Sequence, residues 1–168
     1  TDDKRTSLIV DPPDGRIPDL TPEAQERTRA PRQRPVTERV VLGSVAHGPE
    51  DVGLSERCLL GFSSGPPIVP SEYNNILHLF QTPDHVVIFT EMIHEARVVP
   101  LDGRAHLPGA VPQWLGDSRG HWEGDTLVVD TTNFLRETSF RGGVTTSDLH
   151  LRERFTRVSD GTLMYEVT

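Results

Sequence analysis

Three side chains with acid–base and anion-binding chemistry fall two residues apart in one stretch: Asp117, Arg119 and His121, inside WLGDSRGHWEGD at 114–125. In an extended chain, residues two apart point the same way, so a carboxylate, a guanidinium and an imidazole share one face. Such a trio forms a salt-bridge network or lines a polar pocket. In the pocket, His121 would be a general acid or base oriented by Asp117, with an arginine stabilising negative charge. Trp114 and Trp122 flank the trio and would supply an apolar wall, although Trp122, beside a turn, also reads as a core anchor. Glu123-Gly124-Asp125 reads as scaffold, a tight turn with Gly124 in the left-handed conformation. Asp117 and His121 are therefore the candidate catalytic residues, and Arg119, Trp114 and Trp122 are candidate ligand contacts.

A second cluster is EMIHEAR, 91–97. On a strand, Glu95 and Arg97 share a face and His94 takes the other. On an exposed face the first two form a solvated pair. On a buried face Arg97 requires a carboxylate partner or an anionic ligand, which makes it a further candidate ligand contact. The seven histidines, at 47, 78, 85, 94, 106, 121 and 150, include no HExxH or HxH spacing, and there is no CxxC. No metal site or cofactor is evident from motifs. A metal-dependent variant would have to use His94 and His121 with a carboxylate. GxSxG, P-loop and GxGxxG signatures are absent as well, which removes most support for the common hydrolase, nucleotide and dinucleotide readings.

The elements that must position these residues are strands. After residue 73, short β-rich runs alternate with turn signals: NILHLFQT (75–82), HVVIFTEM (85–92), IHEARVVP (93–100), GHW (120–122), TLVVDTTNF (126–134), LHLRERFTRV (149–158) and TLMYEVT (162–168). Short turns and the lack of a long helical period between the runs predict a mainly β fold, an antiparallel meander forming a barrel-like or sandwich core. Leu149, Leu151 and Phe155 alternate with Arg152, Arg154 and Thr156. Leu163, Tyr165 and Val167 likewise oppose Met164 and Glu166, so each strand is expected to have one buried and one wet face. HVVIF is apolar on both faces and calls for a cover.

Ten of the fourteen prolines lie in residues 1–70, where fixed φ and missing donors disfavour helix and central strand. We expect residues 1–72 to form a proline-rich arm packed on the core and residues 73–168 to form the antiparallel β domain. One short helix is predicted near 22–30, with Thr21 as N-cap, Pro22 in the first helical position, Glu23 in the first turn and Pro31 as the stop. LSERC, 54–58, is a one-turn candidate. TLMYEVT would be an apolar edge strand. That leads us to expect a chain truncated at its C-terminus, or homo-oligomer formation through residues 162–168.

The 168 residues carry a formal charge of −8, and no basic stripe supports nucleic acid or an anionic membrane surface as partner. No apolar run approaches the roughly 20 residues of a membrane span. Cys58, the lone cysteine, reads best as a buried small hydrophobe, with a reactive thiol or half of a disulfide as alternatives.

Four stretches carry a family resemblance: RTSLIVDPPDGRIPDLTPEAQ, SERCLLGFSSGPP, QTPDHVVIFTEMIHEARVVPLDGR and GDSRGHWEGDTLVVDTTNF. Together they resemble a large family of uncharacterised secreted or periplasmic bacterial proteins. The resemblance implies an oxidising compartment, a longer parent chain and a lost disulfide partner for Cys58, and it implies no mechanism. The leading functional expectation is a secreted or periplasmic β-domain that binds a small, partly apolar ligand, with Arg97, Arg119 and His121 as its polar groups. The alternatives are a hydrolase- or lyase-type enzyme using His121, Asp117 and an arginine, and an interaction module that pairs through its final strand.

Overall fold

The structure is a computed structural model, and it describes residues 7–29, 48–49, 52, 54–61, 64–135, 138 and 148–168. The chain divides into two compact units, Thr1–Gln33 and Arg34–Thr168, so the stretch expected to act as one arm over 1–72 is shared between them.

In the first unit, helix α1 spans Pro22–Arg29. It starts where capping chemistry predicts: Thr21 Oγ1 accepts from the Ala24 N–H at 3.3 Å, and Glu23 occupies the first turn. Pro31, the expected stop, lies outside the described residues. Upstream, Ser7 closes a loop by donating to Gly15 O at 2.8 Å, and Gly15 has a φ of +69°.

The second unit is mainly β. Strands β1 (Leu77–Gln81), β2 (His85–Thr90) and β3 (Ala96–Pro100) form one antiparallel sheet in that order. Strands β4 (Asp117–Glu123), β5 (Thr126–Thr132), β6 (Leu151–Ser159) and β7 (Thr162–Val167) form a second. Each sheet is a meander, as the turn spacing predicts. There is no closed barrel among the described residues. Closure needs an unbroken ladder, and the chain between β3 and β4 crosses from one sheet to the other through Pro108 and Pro112. Gly124 takes a φ of +58° in the β4–β5 turn, with nothing within 4 Å of where a Cβ would sit.

Both sheets contribute to one core: Val86, Ile88 and Val99 from the first, and Leu127, Val129 and Phe155 from the second. Ile68, from the proline-rich stretch, packs against this inner cluster. The outer face of the first sheet keeps Phe80 and Val98 about half exposed, at 54% and 53%. The apolar second face of HVVIF is thus only partly covered.

Four expectations need correction. The run 93–100 is not all strand: Met92–His94 is a 3₁₀ turn in which Ile93 and His94 have φ of +59° and +46°, so β3 begins only at Ala96. LSERC forms a turn rather than a helix, closed by Cys58 N–H donating to Ser55 O and Leu59 N–H to Leu54 O. Cys58 is exposed with a φ of +54°; a residue at a left-handed turn position projects out of the chain reversal, so the buried-hydrophobe reading is wrong. On β7 only Tyr165 is partly buried; Leu163 and Val167 stay exposed at the edge.

Candidate functional site

Strand β4 is set by its glycines. At Gly116, just before it, φ is +70°, and a Cβ would lie 2.6 Å from Thr132 O. At Gly120 a Cβ would sit 2.8 Å from Val99 and 2.9 Å from Leu101. Ser118 and Gly120 therefore face the core, and Asp117, Arg119, His121 and Glu123 take the other face. The shared face expected from the two-residue spacing is what forms.

On that face the partners differ from those expected. Asp117 is buried, and its two oxygens accept from three donors: Leu107 N–H at 2.9 Å and His106 Nδ1 at 3.0 Å on Oδ2, and Arg119 Nη1 at 2.6 Å on Oδ1. Arg119 also donates from Nε to Ala105 O at 3.1 Å and from Nη1 to Ser118 O at 2.7 Å. Asn133 Nδ2 donates to Leu107 O at 2.5 Å, so residues 105–107 are stapled alongside the sheet from two directions. Asp117 and Arg119 are thus brought together, and the histidine that joins them is His106. No local pattern signals it, because it comes from a loop eleven residues away in sequence.

His121 does not reach Asp117. Four residues along a strand span roughly 13 Å. Its Nε2 lies 3.2 Å from Glu123 Oε1 on a half-exposed surface. Arg154 Nη1, donating at 2.8 Å, and then His121 hold the Glu123 carboxyl below its usual range. Beside them, burial would raise Asp130, but Arg152 Nε and His150 Nε2, each at 3.0 Å, outweigh it and leave Asp130 lowered.

Arg97 is buried, and of the partners expected for a buried guanidinium it has a carboxylate. Nη1 and Nη2 donate to Oε2 and Oε1 of Glu153, at 2.5 and 3.0 Å. Glu153 is fully buried and also accepts from Tyr165 OH at 2.9 Å, which in turn accepts from Ile68 N–H at 2.9 Å. Burial first, then the Glu153 charge, push the Tyr165 phenol far above its usual range. Glu153 was legible, since it lies between Leu151 and Phe155 on the face predicted to be buried. Trp122 is 45% exposed rather than a core anchor, because it sits at the turn end of the hairpin, beyond the packed part of the core.

Two open grooves adjoin β4. One, of about 570 Å³, is walled by Leu59, Trp114, Leu115 and Leu135, with Arg97, Asp117 and Ser118 among its polar residues. The other, of about 530 Å³, lies against Arg119, His121 and His106. The sequence candidates divide between them: Arg97, Trp114 and Asp117 line the first, Arg119 and His121 the second, and Trp122 neither. Among the described residues no three histidine, cysteine or carboxylate side chains converge as metal ligands, so His94 and His121 do not form the pair a metal-dependent variant would need. Comparison with family models, with curated proteins and with solved structures gave no match.

Proposed function

We propose that the Arg34–Thr168 unit is a secreted or periplasmic, sandwich-like binding domain for a small, partly apolar ligand held in the first groove. One observation carries this reading: Trp114, Leu59, Leu115 and Leu135 stand beside buried Arg97 and Asp117 in one open recess of about 570 Å³. Apolar walls with a few fixed polar groups are what ligand pockets of this size have in common. The address rests on the motif resemblance alone.

Trp122→Phe leaves Trp114 as the sole tryptophan and so as a reporter of the groove. Titrated with the anionic dye 8-anilinonaphthalene-1-sulfonate, this variant should show saturable quenching of Trp114, and Leu115→Glu should abolish it. Quenching that rises without saturation would remove the reading.

An enzyme of hydrolase or lyase type is the second reading. The observation favouring it is the carboxylate–imidazole pair of Asp117 and His106, in which a buried acceptor orients the ring. The candidate base then passes from His121 to His106. Hydrolysis of an activated ester should fall in His106→Gln and persist in His121→Gln. The interaction-module reading draws on β7, which has one neighbour, β6, among the described residues and exposes Leu163, Met164 and Val167. Concentration-dependent dimerisation abolished by Met164→Lys would support it.

A further inference from the structure

We propose that the second groove, on the far side of Asp117 from the ligand groove, is a binding site for a small oxyanion, with His106 and Arg119 as its donors. The lining is the first argument. Arg104, His106, Arg119, His121 and His150 stand around the groove with one carboxylate, Asp130. Asp102 holds Arg104, Glu123 holds His121, and Asp130 holds His150, so the nitrogens left to meet a ligand are those of His106 and Arg119.

The second argument is orientation. Two partners of Asp117, the Leu107 N–H and the Arg119 guanidinium, can only donate, so the side chain is engaged as an acceptor, and the His106 contact closes as a hydrogen bond with a proton on Nδ1. That leaves His106 Nε2 without a partner among the described residues, on a side chain 31% exposed; in the imidazolium form, which a carboxylate on one side and an oxyanion on the other both favour, this nitrogen also carries a proton and donates. Arg119 is similar: Nε and Nη1 are used by Ala105 O, Ser118 O and Asp117, and Nη2 is left over on a side chain 16% exposed. The imidazole ring and the guanidinium are thus both held by one buried anchor before any ligand arrives. Groups held in place beforehand lose little freedom on binding, and a charge-assisted hydrogen bond to an oxyanion is the strong kind. The recess, about 530 Å³ and open, suits a small molecule bearing a carboxylate or phosphate group.

The test uses the full chain labelled with ¹⁵N-histidine and titrated separately with inorganic phosphate and sodium acetate at constant ionic strength. The expected result is saturable movement of the His106 ring signals with at least one of the two, and the stronger of them identifies the class of oxyanion. His106→Gln should weaken that binding by roughly tenfold, the loss of one charge-assisted hydrogen bond. Asp117→Asn should do the same where the fold survives, and His106→Gln, in a partly exposed loop, keeps the test decisive where it does not. Shifts that rise linearly and equally at His106 and at exposed His78 on β1 would overturn the proposal. So would saturable binding that His106→Gln leaves unchanged.

Discussion

Glu153 and Asp117 are two buried carboxylates that each hold an arginine and one aromatic ring, yet they end in opposite situations. Glu153 takes Arg97 and Tyr165 between the sheets, and both oxygens are used where water does not reach. Asp117 takes Arg119 and His106 on the other side of β4, and both of those partners keep an unused nitrogen beside a groove. The difference lies in what covers the partners. An ion pair whose carboxylate has no solvent contact and both oxygens taken holds the fold, even where its arginine borders a groove. The same chemistry with its partners reaching partly into solvent can hold a ligand.

The largest expected effect tests the sealed cluster. Glu153→Ala leaves the Arg97 guanidinium buried and unpaired, which costs on the order of 3–5 kcal/mol in urea unfolding. Replacing both partners, as Arg97→Met with Glu153→Leu, should recover most of that loss, since well-packed apolar side chains substitute for a buried pair. A double variant no more stable than Glu153→Ala would show that the site does more than join the sheets.

Asp117→Asn should cost less, about 1–3 kcal/mol, because its partners can turn to water. It should also alter the ¹⁵N ring signals of His106 and leave those of His121 where they are. A change confined to His121 would restore the partner suggested by the strand spacing.

Alkaline pH separates the clusters next. Below about pH 10, the usual phenol value, Tyr165 is protonated in both the folded and unfolded chain and its contribution is fully present. Above it the unfolded chain releases the proton and the folded chain does not, so stability falls as pH rises. Unfolding midpoints should therefore decline above pH 10, and Tyr165→Phe should flatten that decline. The smallest effect belongs to the exposed network: Glu123→Gln, with its Arg154 and His121 contacts in solvent, should leave the unfolding midpoint unchanged.

What could be read from the chain was whatever depends on near neighbours. The β-runs and their turns, Thr21 as helix cap, Gly124 in the left-handed turn and the common face of Asp117, Arg119 and His121 all follow from two-residue alternation or from a side chain bonding a few residues away. The 3₁₀ turn at Met92–His94 escaped that reading. Local pattern favoured strand through Ile93, and its positive φ is set by the return from β2 to β3. The pairing of charges was beyond reach of any local rule. Asp117 chose His106 over His121 because residues 105–107 fold back along β4, whereas four residues of strand hold His121 away. Arg97 found Glu153 from the other sheet for the same reason. Sequence spacing decides which face a side chain takes; which partner waits on that face is decided by segments distant in the chain, and only the tertiary fold brings those together.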